Sequence, residues 1–489
     1  MSIDSGRPSK IDPQAHCLLS RSQWLRRIIS IFLILTLVSL VGIFITPKNA
    51  LSTSIGNSST EKNINNAPEK PMRKNAITFN SNSYRHNQSA ECSRDVSPIL
   101  FDEWRQSKEI ICTSHEVSIE QLRLDRWEYK PTITVYKNII LNNLFDDVNK
   151  TDTSCEVFAS NSLNDASNIT AINHPVIRVQ NYGTFNAYER FHSYLNIAMV
   201  MATLNITNPQ LVYMVTESEM KSIPRSISNV VEMWASFSSL KPIIAEVPSS
   251  RRLTGNGGAV LNTDQPMIAL PYMVDFPFQG TSMMVTKTGG ALRGRGIDHH
   301  CKSEIFRGIT DFIRTNLGIG DESNDADVNN TIQVLWSSRG PFCCHPKDGT
   351  VYTPSRSIDN EQKLVRAVQT SLGSHYNITT VDFGANMTTI DSVKAAYKAQ
   401  ILVGVHGAGL VWSAFMKQHS GLVEIFGGDR GSSNRHYHNI ASLADIHYRS
   451  LTLGGGKAKS LIWDEKSVDQ IVKKIRSINL DEEPSANEP

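Results

Sequence analysis

His406, Gly407 and Gly409 follow directly on the apolar run ILVGV (401–405) and precede a second apolar stretch, LVWSAFM. Glycines there allow a tight turn with backbone amides facing a ligand, and a helix starting near Gly409 or Leu410 would aim its unpaired N–H groups and positive dipole end at an anion. That is chemistry for a phosphate. His406 can hydrogen-bond a sugar hydroxyl or a phosphate oxygen, or titrate near neutral pH. The same HGAG also suits a plain strand-to-helix turn with a structurally satisfied histidine, and the stretch alone does not separate the two. Two arginines weigh toward the anion. Arg339 ends the run TIQVLWSSR (331–339) and Arg356 precedes a helical pattern beginning near Asn360, so both guanidiniums can reach the same place and neutralise a diphosphate.

The elements that must hold these residues are legible in the last third of the chain. TIQVLWSSR reads as a strand, 360–372 as a helix, 377–383 as a strand, 389–400 as a helix, ILVGV as a strand and LVEIF (422–426) as another. Such alternation means a parallel sheet covered on both faces, with ligands in the crevice beyond the carboxyl ends of its strands. His406 falls at such an end. Earlier, PQLVYMV (209–215) and PIIAEV (242–247) read as buried strands with a helix, VVEMWASF (230–237), between them.

These pieces resemble glycosyltransferase family 61, which includes plant N-glycan xylosyltransferases, cereal xylan arabinosyl- and xylosyltransferases and secretory-pathway O-GlcNAc transferases. The likeness rests on HGAGL with its downstream Phe415 and Met416, the LVEIF strand carrying Glu424, and an Arg-bearing strand followed by SRSIDNEQ, in matching order from Ile332 to Phe426. The resemblance implies that Arg339, His406, Gly407, Ala408 and Gly409 line a nucleotide-sugar diphosphate site, with Arg356 and Glu424 nearby and Glu424 able to accept from ribose hydroxyls. Upstream, YGTFNAYERFHSYLN (182–196) is similar to a family segment carrying a histidine and an acidic residue. His192 aligns, but Asn196 stands where the family commonly has Asp, a candidate general base. An amide cannot take a proton at neutral pH, so Glu189 or His192 is the nearest substitute, with His406 a further catalytic candidate. His192 and Tyr188 equally suit the buried stripe of an amphipathic helix.

The 489 residues exceed one ordinary core, and a net charge of +2 gives no surface built for nucleic acid. Residues 28–45, IISIFLILTLVSLVGIFI, are long and apolar enough to span a bilayer; Arg7, Lys10, Arg21, Arg26 and Arg27 precede them against Asp4 and Asp12, which keeps residues 1–27 cytosolic. Residues 46–90, rich in Asn, Ser, Thr and Lys, read as a disordered stem. Eight sequons, at Asn57, Asn87, Asn149, Asn168, Asn205, Asn329, Asn377 and Asn386, fit a lumenal remainder. Of seven cysteines, six lie beyond the anchor and could form three disulfides, Cys301 with the CCH segment (343–345) among them; that arrangement outweighs zinc in an oxidising lumen. Asp325-Ala326-Asp327 lies in a polar loop rather than after a strand, which argues against a metal.

The expectation is therefore an α/β, GT-B-like chain: two Rossmann-like lobes after an N-terminal transmembrane helix and stem. Residues 91–325 form the acceptor-side lobe, 326–480 the nucleotide-sugar lobe and 481–489 a tail. Its function is expected to be inverting, metal-independent transfer of xylose, arabinose or GlcNAc from a UDP-sugar to a glycan or glycoprotein hydroxyl at the Golgi or endoplasmic reticulum membrane. The competing reading is a lumenal carbohydrate- or nucleotide-sugar-binding protein without turnover.

Overall fold

The computed structural model describes residues 77, 104–114, 116–123, 132–141, 155, 169–180, 187–216, 232–247, 267–276, 282–284, 302–320, 331–339, 342–343, 351–352, 356–383, 387–427, 434–454, 460–482 and 484. Among them no helix is long and apolar enough to cross a membrane; the expected anchor (28–45), most of the stem and the 325/326 lobe boundary lie outside the described residues. So do Asp325, Asp327, Cys301 and Cys344. The disulfide found among the described residues joins Cys112 to Cys155.

One sheet is built from β1 (Lys108–Ser114), β2 (Val117–Arg123), β3 (Thr132–Leu141), β4 (Ile169–Ala171), β5 (Val176–Gln180), β6 (Gln210–Thr216), β7 (Ile243–Val247) and β8 (Met267–Phe276). Its order is β1-β2-β3-β8-β5-β6-β7, with β4 alongside β8. The half from β1 to β8 is antiparallel and the half from β8 to β7 parallel, so this sheet is mixed where a Rossmann-like one was expected. Strand β8, where the two halves meet, carries Pro271 near its centre, which has no N–H to give. The register with β3 skips it, passing from Lys137↔Tyr272 to Ile139↔Leu270, and Asn138 opposite takes a φ of 53°. On the other edge β4 pairs with 267–269 and β5 with 273–276, leaving Pro271 between them.

The other sheet uses β9 (Ile332–Ser337), β13 (Tyr376–Val381), β14 (Ile401–Val405), β15 (Gly421–Gly427) and β16 (His447–Leu453), all parallel, in the order β13-β9-β14-β15-β16. Short strands β12 (Ser357–Ile358) and β17 (Ser460–Leu461) pair beside it. Phe342–Cys343 (β10) and Val351–Tyr352 (β11) form a ribbon outside the compact unit, Met72–Gly340 with Thr353–Pro489, that holds both large sheets. The chain moves left from β9 to β13 and then right to β14, so the connections leaving β9 and β14 diverge and open a crevice at their carboxyl ends.

Alternation sorts the second sheet's side chains onto two faces. Val334, Trp336, Val403, Val405, Val423 and Ile425 point one way, into a cluster closed by α3 (Glu361–Leu372) and α6 (Glu465–Arg476). Leu335, Leu402 and Leu422 point the other way, into a core shared with Ile133 and Ile177 of the first sheet. Between the sheets lie α1 (Ala187–Leu204), α2 (Glu304–Asn316), α4 (Thr389–Lys398), α5 (His436–Leu443) and a 3₁₀ helix, Ala408–Phe415. The ring of Phe191 on α1 meets that of Phe415 at 5.5 Å, and Arg307 of α2 donates to the Met416 carbonyl at 2.8 Å. Gly404 lets the 3₁₀ helix lie this close, since a Cβ there would stand 2.8 Å from Ser337 Cβ and 3.0 Å from Leu410. The helix that sequence placed near Gly409 is thus 3₁₀ and begins at Ala408.

Candidate functional site

At the mouth between β9 and β14, Arg339 Nη1 donates to the backbone carbonyl of His406 at 2.7 Å. The guanidinium lies directly over Gly407, where a Cβ would sit 2.6 Å from Arg339 Cζ. Gly407 is extended (φ 171°), so any residue fits its backbone and glycine is needed only for this approach. Gly409 is similarly crowded: its Cβ would stand 3.0 Å from Ser337 Oγ and 3.3 Å from Phe383 beyond β13. Three strand ends therefore meet at HGAG. The first N–H groups of the 3₁₀ helix have no partner within the helix, which makes this end electropositive beside Arg339. Gly407→Ala is expected to push the guanidinium aside. Pyrophosphate affinity, by titration calorimetry, should fall about tenfold, while the melting temperature barely moves because only a side-chain end must shift.

His406 is 8% exposed and bonded on both ring nitrogens. Nδ1 pairs with Oε1 of Glu424, whose Oε2 accepts from the Tyr448 hydroxyl at 2.6 Å. Glu424 on β15 sits opposite Gly404 in register, on the same side of the sheet as His406 two residues on. Its side chain is wholly buried, with one oxygen on His406 and the other on Tyr448. Burial, then Glu424, push the Tyr448 phenol well above its usual range, keeping it a donor. On the other side, His406 Nε2 lies 3.1 Å from Asn434 Nδ2. The ring stacks on Phe426 at 5.3 Å and meets Tyr437 edge-on at 5.3 Å.

A run of rings leads from here to α1. His436, first residue of α5, lies 6.1 Å from His406 and stacks on Tyr188 at 4.4 Å; Tyr188 meets His192 edge-on at 4.9 Å. Burial, then the neighbouring His406 and Arg356, hold the His436 imidazole down to about 4. Burial, then His436, take His192 down to about 3. His192 is 1% exposed, with Nδ1 2.7 Å from Ser282 Oγ, and Asn196 one turn on is as deeply buried. Glu189, half-buried on the first turn of α1, raises the Tyr188 phenol after burial does. Arg356, partly buried in the turn before β12, acts electrostatically on both His436 and Tyr437.

Structure thus gathers Arg339, Arg356, His406, Gly407, Ala408, Gly409 and Glu424 at one sheet edge and brings α1, with Glu189 and His192, toward it through Tyr188 and His436. Sequence reasoning missed Asn434, His436, Tyr437, Tyr448 and Ser282. The first three had a signal, because NRHYHN (434–439) follows LVEIF at another carboxyl strand end. Among the described residues no group of three or more His, Cys, Asp or Glu converges as metal ligands do. The geometry sets the Arg339 guanidinium and the helix amides beside two buried imidazoles, His192 and His436, whose burial disfavours the charged form.

Comparison with known proteins covers the part of this edge that holds Arg339, Arg356 and the HGAG turn. Residues 300–423 match the profile of Glycosyltransferase 61. The mouse EGF domain-specific O-linked N-acetylglucosamine transferase is 30% identical over 111 residues, 21% of this chain and 20% of that protein. The chimpanzee and dog proteins of the same name are each 28% identical over the same length. The alignment spans about a fifth of those relatives. Among solved structures, the bacterial iron-containing dodecameric glycosyltransferase TibC from enterotoxigenic E. coli covers 52% of this chain and 58% of its own at 12% identity; its TM-score of 0.20 carries no argument.

Proposed function

We propose that this chain, which carries a glycosyltransferase 61 segment over residues 300–423, is a glycosyltransferase moving a sugar from a nucleotide-diphosphate donor to a hydroxyl of a glycan or glycoprotein. The observation that carries this reading is the convergence of Arg339 with the HGAG turn at the switch point between β9 and β14, inside the matched segment. In the proposed step the acceptor oxygen attacks the anomeric carbon with inversion, and its proton passes to a base. The bond to the diphosphate breaks and the electron pair leaves on phosphate oxygen. Arg339, Arg356 and the leading amides of the 3₁₀ helix stabilise that charge, a preorganised arrangement that takes the place of a cation. Glu189 is the base we favour, since His192 is sealed against Ser282 and Asn196 cannot accept a proton.

The donor we propose is a UDP-sugar bearing xylose, arabinose or GlcNAc. The fold is read as GT-B-like, with lobes built on the two sheets. Residues 28–45 would anchor the chain in the Golgi or endoplasmic reticulum membrane with the catalytic part lumenal. The exposed sequon residues Asn205 and Asn377 support that orientation. The enclosure of His192 and Asn196 favours one rival, a lumenal protein on the same fold that binds donor without turnover.

Thermal-shift screening of the purified lumenal region with UDP-xylose, UDP-arabinose, UDP-GlcNAc and GDP-sugars separates these. A donor at 100 times its Kd should stabilise by about 2.7 kcal/mol, and Arg339→Ala should abolish the shift. Stabilisation indifferent to Arg339 would remove this pocket from the reading. Binding without transfer across a broad acceptor panel would favour the rival.

A further inference from the structure

We infer that Asn434 and Glu424 hold His406 as the tautomer protonated on Nδ1, so that Nε2 meets the bound nucleotide sugar as an acceptor, taking a hydrogen bond from a hydroxyl rather than giving one to phosphate. The inference rests on the donor-site reading above and adds which part of the donor His406 touches. The backbone N–H of His436 can only donate, and it donates to Asn434 Oδ1 at 3.1 Å. That fixes the amide. Asn434 Nδ2, itself only a donor, then faces His406 Nε2 at 3.1 Å, so Nε2 must accept. The remaining nitrogen, Nδ1, carries the proton and gives it to Glu424, which the Tyr448 hydroxyl steadies from behind. Two separate constraints, one on each ring nitrogen, agree on one tautomer.

Electrostatics divides the labour accordingly. Arg339 and the amide ends can serve the diphosphate, and neither can accept a hydrogen bond. An Nε2 lone pair beside them would repel phosphate oxygens. It suits a ribose or sugar hydroxyl, which on binding replaces the Asn434 amide as donor. Asn434 is thus a positioning residue, acting on substrate through His406.

The test has two arms on the folded lumenal region. In ligand-free protein labelled with ¹⁵N-histidine, two-bond nitrogen–proton correlations should give the Nδ1–H pattern for His406, whose signal is assigned by its loss in His406→Phe. An Nε2–H pattern or a doubly protonated ring in the wild type would overturn the tautomer assignment with no ligand involved. Asn434→Leu should keep the Nδ1–H pattern, since Glu424 still accepts from it, while the Nε2 resonance shifts as its hydrogen-bond donor is lost; an unshifted Nε2 would remove Asn434 from the role. In the second arm, His406→Phe keeps a ring against Phe426 and is expected to weaken UDP or UDP-GlcNAc about tenfold while leaving pyrophosphate unchanged. Loss with UDP-GlcNAc alone assigns a hydroxyl of the sugar, and loss with both assigns the ribose. Equal loss with pyrophosphate would show His406 serving phosphate and defeat the inference, leaving the glycosyltransferase reading to stand on Arg339.

Discussion

Glu424→Leu is expected to cost about 2–6 kcal/mol of stability, because it strands two buried donors, His406 Nδ1–H and the Tyr448 hydroxyl, at about 1–3 kcal/mol each. Sugar transfer should fall on the order of 100-fold as the imidazole loses its orientation. Glu424→Gln makes the informative contrast. Its carbonyl can still accept from Nδ1–H while its amide donates to Tyr448, so the tautomer survives and stability should drop by no more than about 1 kcal/mol. Chemical denaturation of the two variants beside a transfer assay checks the ordering. If glutamine proved as damaging as leucine, charge rather than hydrogen bonding would be what Glu424 supplies.

Acid should unfold the protein through its buried imidazoles. His436 is held to about 4 and His192 to about 3, both below the unfolded value of about 6.5. Between those limits the unfolded chain binds more protons than the folded one, so stability falls as pH drops. The loss begins below about pH 6.5 and is complete near pH 4 for His436 and near pH 3 for His192; above the window neither contributes. The slope is at most about 1.4 kcal/mol per pH unit for each group. His436→Phe preserves the stack on Tyr188 and should flatten the melting temperature measured from pH 7 to 4.5. Identical slopes in wild type and variant would mean that His436 takes up its proton without unfolding the chain.

The part of this fold that sequence exposes best is the second sheet. Residues 401–405 form β14 as read, 422–426 lie within β15, and the helix expected at 360–372 runs from Glu361 with Asn360 as its N-cap. Strands buried on both faces are nearly continuous in apolar residues, and the intervening helices carry a period of their own, so the alternation stands out. In the first sheet β6 and β7 fall where 209–215 and 242–247 read as strands, whereas β8 is interrupted by Pro271, which has no N–H and sits where β4 and β5 leave a gap. Within the site, anion chemistry was readable from glycine, arginine and strand-end position. The pairing of His406 with Glu424 was readable in principle: on adjacent parallel strands, equal parity from the register Gly404↔Glu424 puts both on one face. Ser282 behind His192 and the hydroxyl of Tyr448 had no local signal, because only tertiary folding brings them in.

The most direct measurement is acceptor-dependent release of UDP from a panel of UDP-sugars by wild type and Arg339→Ala, with the product's anomeric configuration read by NMR. The account predicts release of UDP with one donor, inversion at the anomeric carbon, and a fall on the order of 100-fold in kcat/KM when the guanidinium over Gly407 is removed. Turnover that is indifferent to Arg339 would contradict it.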